Sequence, residues 1–263
     1  VSAEATLDHR TLYLQWIDSL LDLLIPGVDG VTCDERFKQN EILFLGPDEN
    51  TAGEFPTIAA KRAKARGYKH WKSFTTGKSQ GIGGIPHDMY GMTSQGVRHN
   101  AKALYEKLHL RQEDLSKFQT GGPDGDLGSN EILLGKECCI GMCDGSGSIH
   151  DPRGIDKEEL VRLAKKRSPL SGFNVAKLSK NGFFVPIEAK GLKLPDGAIV
   201  GDGVDFRNTF HFSKYAKADV FVPCGGRPSS ISLDSVHKLI PAVQGATGQS
   251  MLEGKVGNLR ETG

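Results

Sequence analysis

Apolar residues recur every three or four positions in several segments, and this spacing predicts helices. A helix is expected over about the first 25 residues, ending at Pro26-Gly27. Others are expected over residues 54–66, 93–108 and 157–166, and a short one starting at Ser129. The apolar face of the first helix is predicted to comprise Leu12, Trp16, Leu20, Leu23 and Leu24.

Short strand-like segments alternate with these helices and predict β-strands. They cover residues 42–45, residues 115–120, a segment through Cys139, and residues 218–223, after which a further helix is expected to end near Leu239. Strand and helix alternate in units of about 30 residues, which is typical of a parallel sheet with helices on its faces. The predicted fold class is therefore α/β.

Two segments lack this periodicity. Residues 67–86 are rich in Gly, Thr and Ser, and they predict a hinge or a crossing between domains. Residues 241–263 hold five glycines and almost no apolar pattern, so a loose tail is expected there.

The composition is that of a folded protein without a strong charge. Of the 263 residues, 38% are hydrophobic and 25% charged, and the formal net charge is +1. Such a chain can bury a core, and it lacks the basic excess that nucleic acid or an anionic membrane attracts. The apolar run at residues 17–25 is much shorter than the ~20 residues that span a bilayer. Small metabolites are the expected partners.

Five cysteines occur, and three of them lie within residues 137–143, in an expected buried strand. The odd number favours a reducing compartment, so the cytoplasm and the mitochondrion both fit. None of the cysteines has the spacing of a zinc site, and we expect small core side chains rather than metal ligands. The chain begins with Val rather than Met, so we expect any native leader to be missing from it.

The strongest local motif is the glycine-rich segment 118–130, which joins a predicted strand to a predicted helix. Glycines at such a turn let the backbone approach a pyrophosphate. Gly125 and Gly128 match the second and third glycines of G-x-G-x-x-G, whereas Pro123 occupies the first position. Asp144, 19 residues after Gly125, stands where an acid binds the adenosine ribose, which favours NAD over NADP. The alternative is an ordinary glycine-rich turn.

Two other motifs are rejected. The segment 77–79 matches the last three residues of a phosphate-binding P-loop motif. However, Lys72 occupies the position where the motif requires its first glycine, and no strand precedes it. Residues 77–81 also match the G-x-S-x-G of serine hydrolases, but the residues that follow, up to Pro86, are unable to open the required helix.

Several long segments together resemble the large-subunit kind of NAD-dependent glutamate dehydrogenase, and they occur in the same order. They are residues 46–51, 72–79, 83–93, 118–130, 143–156 and 218–228. The resemblance implies a Rossmann-like dinucleotide-binding domain with a parallel sheet over residues 76–240 and the C-terminal part of a substrate domain over residues 1–75. It also implies oxidative deamination of L-glutamate to 2-oxoglutarate and ammonia, with NAD as cofactor, in a homo-oligomeric enzyme.

The resemblance assigns roles to individual residues. Asp48 matches the catalytic aspartate that passes protons to and from the substrate amine, although on its own it would be taken as a turn-capping residue. Thr93 matches the residue that contacts the nicotinamide amide, and it is also a good helix N-cap. The cofactor contacts implied in full are Thr93, Gly122, Gly125, Asp126, Leu127, Gly128, Asp144 and Cys224.

The chain also departs from the family pattern. Asp126 replaces an asparagine of smaller relatives, and His87 and Asp88 stand where an arginine grips the substrate carboxylate. The lysines that bind substrate are expected upstream of Asp48, where this chain has only Lys38, and residues 241–263 match neither the expected strand nor the terminal helix. Two functions therefore remain: a glutamate dehydrogenase, or a non-catalytic NAD-binding or interaction fragment of one.

Overall fold

The computed structural model describes residues 3–25, 43–46, 54–225 and 231–238. The chain divides into two compact units, residues 1–92 and 93–263. In the described part of the chain, no helix combines the length and the apolar character needed to cross a bilayer.

Two helices build the first unit. Helix α1 spans Ala3–Leu24 and helix α2 spans Glu54–Ala65, close to their predicted bounds. They enclose a small apolar core whose buried members are Ile17, Leu21, Ala59, Ala63, Tyr68 and Phe74. Beyond α2 the backbone turns at Gly67 and continues irregularly, apart from short 3₁₀ turns at Trp71–Ser73 and Gln80–Ile82. Of the strand expected at residues 42–45, the described residues 43–45 form one parallel bridge, between Leu45 and Thr75.

The predicted apolar face of α1 is wrong. Ile17 and Leu21 are fully buried, whereas Leu12 and Trp16 are 60% and 48% exposed. Leu23 is also exposed, and Leu20 and Leu24 are half-buried. The covered face is the one that packs against Ala59 and Ala63 of α2, and beside it Arg62 donates two hydrogen bonds to the Asp18 carboxylate at 2.7 and 2.8 Å. A helix with leucines on several sides leaves this choice to its neighbour.

The described residues of the second unit form four α-helices, the first of which begins at Met92, and seven strands. The helices are α3 (Met92–Lys107), α4 (Asp126–Leu134), α5 (Lys157–Lys166) and α6 (Gly203–Thr209). The strands are β1 (Ser116–Thr120), β2 (Cys138–Cys143), β3 (Gly147–His150), β4 (Phe183–Pro186), β5 (Lys190–Lys193), β6 (Ile199–Asp202) and β7 (Val220–Pro223).

Five of these strands form a mixed sheet in the order β4-β3-β2-β1-β7. Strand β1 runs parallel to both β2 and β7, as predicted, but β2–β3 and β3–β4 are antiparallel. Only three residues separate β2 from β3, which is far too short for a parallel crossover. Strands β5 and β6 form a separate antiparallel pair.

Helices α4 and α5 cover one face of this sheet. The core beneath them contains Ile132, Met142, Ile149, Leu160 and Leu163. On the same sheet, Phe118 and Cys143 pack instead with Phe210 of the segment after α6. Of the clustered cysteines, Cys139 and Cys143 are buried, as expected for core side chains, whereas Cys138 is exposed at the start of β2. Cys33 and the predicted tail lie outside the described residues.

Candidate nucleotide site

The glycine-rich segment forms the turn between β1 and α4, at the carboxyl ends of three adjacent parallel strands. The N–H of Gly121, which has φ +82°, donates to the Cys143 carbonyl at the end of β2 (2.8 Å). The N–H of Cys224, just after β7, donates to the Thr120 carbonyl at the end of β1 (2.7 Å). In open α/β sheets this edge is where ligands bind.

Three glycines of the turn have no room for a side chain. A β-carbon at Gly122 would lie 2.5 Å from Oδ2 of Asp144, and one at Gly128 would lie 2.8 Å from the Gly121 carbonyl oxygen. At Gly121 it would meet the backbone of Cys224 at 2.5 Å. The turn is therefore packed tightly against β2 and β7 by backbone alone, which is the arrangement that brings main-chain N–H groups close to a ligand phosphate.

Helix α4 begins at Asp126, three residues earlier than predicted. Gly125 is its N-cap in an extended conformation, and the Gly125 carbonyl accepts the hydrogen bond from the N–H of Ser129 (2.9 Å). The amides of Asp126, Leu127 and Gly128 thus occupy the first helical turn, where helix geometry provides no carbonyl partner and favours anions. This start places all three residues at the helix end that faces the turn.

Two carboxylates near the turn, those of Asp126 and Asp124, have different electrostatic surroundings. Asp126 forms an ion pair with Arg167 at the C-terminus of α5 (2.8 Å). Burial and the neighbouring Asp144 raise the pKa of Asp124 above its usual range. A group that binds here therefore encounters helix N-terminal amides and a guanidinium together with acidic side chains.

Asp144 lies directly beside the turn but is engaged by its own chain. It is 7% exposed, and its Oδ1 accepts hydrogen bonds from the N–H (2.8 Å) and hydroxyl (2.6 Å) of Ser146 and from the N–H of Gly147 (3.2 Å). Its Oδ2 accepts one, from the N–H of Leu170 (2.7 Å). A carboxylate oxygen has lone pairs for at least two hydrogen bonds, so Oδ2, with one donor, retains acceptor capacity.

Of the remaining sequence-predicted residues, Thr93 and Cys224 belong to the described part of the chain and Asp48 does not. Thr93 is exposed at the start of α3, and its neighbour Ser94 donates a hydrogen bond to the Leu127 carbonyl (3.1 Å), which joins α3 to the first turn of α4. The Cys224 thiol is buried, and burial raises its pKa. These positions lie around one turn with the glycines and Asp144. Asp48 lies outside the described residues.

Between α3, β1 and α4 lies a set of buried polar residues that the sequence analysis did not single out. Lys117 donates to Oε1 of Glu131 (2.9 Å), and Arg98 donates to Oε1 of Glu137 (2.5 Å), which also accepts from the Tyr105 hydroxyl (2.7 Å). The Arg98 Nε and Glu131 Oε2 atoms form an ion pair at 3.0 Å without the angle of a hydrogen bond. A lysine within the predicted strand 115–120 was the available signal.

Gln119 is a second buried polar residue that the sequence analysis passed over. Its side chain is completely buried in β1, and its Nε2 donates to the carbonyls of Gly121 (2.9 Å) and Gly128 (3.0 Å). The amide thus bridges the two ends of the glycine-rich turn.

Known proteins share both the sequence and the fold. The model of the Glutamate/Leucine/Phenylalanine/Valine dehydrogenase family matches residues 83–252. The NAD-specific glutamate dehydrogenase of Neurospora crassa is 52% identical over 236 residues, covering 88% of this chain and 22% of the relative. For the NAD-specific enzyme of Saccharomyces cerevisiae the identity is 51% over 233 residues, with coverages of 87% and 21%. The chain spans about a fifth of the length of these relatives.

Solved structures show the same fold at low sequence identity. Glutamate dehydrogenase of Plasmodium falciparum superposes with a TM-score of 0.53 at 14% identity, covering 86% of this chain and 41% of that one. The predicted α/β, Rossmann-like fold is thereby confirmed. With its glycine-rich turn at the carboxyl edge of the sheet and a family model matching most of the second unit, the chain belongs to the Glutamate/Leucine/Phenylalanine/Valine dehydrogenase family.

Proposed function

We propose that this chain carries the NAD-binding part of an NAD-dependent glutamate dehydrogenase. The whole protein would deaminate L-glutamate oxidatively to 2-oxoglutarate and ammonia. The observation that carries the proposal is the turn at Gly121, Gly122 and Gly128, whose backbone is closed to any side chain and opens onto a helix N-terminus. Relatives about 50% identical, named NAD-specific glutamate dehydrogenases, support the choice of cofactor and substrate.

The second unit, residues 93–263, is proposed to hold the nucleotide. NAD supplies the hydride acceptor when bound. The amides of residues 126–128 would bind its pyrophosphate, and Oδ2 of Asp144 would accept from a ribose hydroxyl. Thr93 would contact the nicotinamide amide, with the Ser94–Leu127 hydrogen bond fixing the start of α3.

The chemistry itself is proposed to need parts of the whole protein beyond this chain. Asp48 would pass protons to and from the substrate amine, and lysines that hold the substrate would lie upstream of it. The segment of this chain before Asp48 contains a single lysine, Lys38. The second candidate function, a non-catalytic NAD-binding or interaction fragment, therefore applies to the 263-residue chain tested alone.

The setting of the enzyme is also a proposal. We infer a homo-oligomeric parent enzyme in the cytoplasm or the mitochondrion, acting on small molecules and without nucleic-acid or membrane partners. A solved relative from Thermus thermophilus is named a hetero-hexameric glutamate dehydrogenase. Light scattering of the full-length protein tests the oligomeric state, and fractionation of its host cells tests the compartment.

Calorimetric titration with NAD and NADP tests the cofactor. We expect NAD to bind at least tenfold more tightly, about 1.4 kcal/mol, because the Asp144 carboxylate repels a 2′-phosphate. Asp144→Asn should narrow that ratio. The matched control is Asp151→Asn, since Asp151 is a buried carboxylate in the same unit that accepts three hydrogen bonds, from Ser179 and Arg153, where Asp144 accepts four. Equal affinity for the two nucleotides would overturn the assignment of Asp144.

Activity assays test the catalytic part. The 263-residue chain alone should show no glutamate-dependent NADH formation, because substrate positioning typically contributes ~10³-fold or more to the rate. A longer chain that includes the upstream lysine segment should be active, and Asp48→Asn should abolish most of that activity. Turnover by the isolated chain, or a longer chain that tolerates Asp48→Asn, would contradict the roles proposed here.

A further inference from the structure

Gln119 occupies a position where an apolar side chain is the usual choice. It lies in β1, the central strand of the parallel part of the sheet, and its side chain is 0% exposed. Strands buried on both faces are normally built from Val, Ile and Leu. A buried amide at this place requires hydrogen-bond partners, and its Nε2 finds them in the carbonyls of Gly121 and Gly128.

These two carbonyls belong to the turn that is proposed to hold the nucleotide. Both residues are part of a tightly packed backbone, since a β-carbon at Gly128 would lie 2.8 Å from the Gly121 oxygen. A buried carbonyl without a donor is unfavourable, so the Gln119 amide stabilises the orientation in which the Gly121 oxygen faces the sheet, and it joins this residue to the first turn of α4 through the Gly128 carbonyl.

The orientation of a carbonyl also determines where the next N–H points. No cis peptide occurs in the described residues, and in a trans peptide the C=O and the following N–H point in opposite directions. With the Gly121 oxygen held toward Gln119, the N–H of Gly122 points away from it. Carbonyls turned inward leave amides, rather than oxygens, for an approaching anion.

We propose that Gln119 is a positioning residue of the dinucleotide site, which orients the glycine-rich turn for the pyrophosphate without touching it. This inference rests on the proposed NAD binding and deepens it. The orientation of the amide follows from its two carbonyl acceptors, and its Oε1 has no hydrogen-bond donor among the described residues. Binding at the turn therefore depends on the Nε2 group and not on the bulk of the side chain.

Two variants of the full chain separate these contributions. Gln119→Leu keeps nearly the same volume and removes the donor, and Gln119→Asn keeps an amide that is one methylene too short to reach both carbonyls. The control is Val185→Ala, which truncates a fully buried side chain of β4 on another strand of the sheet. It destabilises the unit without changing the partners of the turn.

The measurements are NAD affinity by calorimetry and amide hydrogen exchange without nucleotide. We expect Gln119→Leu to raise the Kd for NAD at least tenfold and to speed exchange of the amides in residues 121–129, with Gln119→Asn intermediate. Val185→Ala should speed exchange in β4 and leave the Kd within about twofold.

The outcomes distinguish this inference from the proposed function. If the wild-type chain does not bind NAD, the proposed function is wrong, and exchange at residues 121–129 still decides whether Gln119 orients the turn. If Gln119→Leu and Gln119→Asn leave both the Kd and the exchange of the turn unchanged, the inference is overturned. It is also overturned if Val185→Ala raises the Kd as much as Gln119→Leu does, because the loss then follows general stability.

Discussion

Helix α3 is attached to its unit by polar contacts, and replacing Arg98 with Met tests what they contribute. None of the described residues of α3 joins an apolar cluster, and only Ser94 and Tyr105 of this helix are buried. Arg98 connects α3 to the carboxylates of Glu131 and Glu137, both of which are completely buried. Its removal takes away the ion-pair partner of Glu137 and leaves Lys117 as a more distant cation.

The magnitude follows from the buried carboxylate. Burial raises the pKa of Glu137, but hydrogen bonds from Tyr105 and Arg98 outweigh this effect and bring the pKa to about 2, from an ordinary value of 4.5. A difference of that size corresponds to ~3 kcal/mol in favour of the charged form, and breaking a buried ion pair typically costs ~3–5 kcal/mol. We therefore expect Arg98→Met to destabilise the second unit by ~3 kcal/mol.

The assay must report on the second unit. Both tryptophans, Trp16 and Trp71, belong to the first unit, so their fluorescence follows that unit alone. Amide exchange in β1, measured against urea concentration, follows the second. The control is Arg111→Met, because the Arg111–Asp114 pair is 75% and 61% exposed and such pairs contribute ~1 kcal/mol or less.

A double variant separates the cost of the unpaired Glu137 carboxylate from the cost of lost packing. Combining Arg98→Met with Glu137→Met removes the unpaired carboxylate, so at least half of the lost stability should return. The reasoning is refuted if Arg98→Met costs no more than Arg111→Met, or if the double variant is less stable than Arg98→Met alone.

Three further outcomes are expected. Because the folded pKa of Glu137 is depressed, its stabilisation is complete above pH ~4.5 and is lost as the pH falls toward 2. Glu137→Gln should therefore weaken the fall of the free energy of unfolding at acid pH, measured by urea titration, and an unchanged fall would contradict this expectation. Gly122→Ala should abolish measurable NAD binding, since its β-carbon would lie 2.5 Å from Asp144, and calorimetry would disprove this by finding wild-type affinity. Ile17→Ala should lower the free energy of unfolding of the first unit, followed by tryptophan fluorescence, by ~2–4 kcal/mol, and Leu12→Ala should lower it by less than ~1 kcal/mol. Equal losses would mean that the buried face of α1 is assigned incorrectly.

Local chemistry was enough to locate many elements of this protein. Helix α5 spans Lys157–Lys166, as its spacing predicts, and β1, β2 and β7 lie where strands are predicted. The glycine-rich turn was also readable from sequence, because close backbone packing tolerates only glycine at positions such as Gly122. Periodicity and glycine requirements act over a few residues, so they are written in the local sequence.

Tertiary structure alone decided the contacts between distant segments. Ile17 rather than Leu12 is buried because α2 covers that side of α1, and β3 is antiparallel because its connection to β2 is too short to cross over. Leu170 donates to Asp144, Arg98 donates to Glu137 and Gly128 accepts from Gln119, and each of these partners comes from another element of the fold. Hydrogen-bond partners of buried polar groups are chosen by three-dimensional proximity, and for these residues no local pattern of the chain encodes that choice.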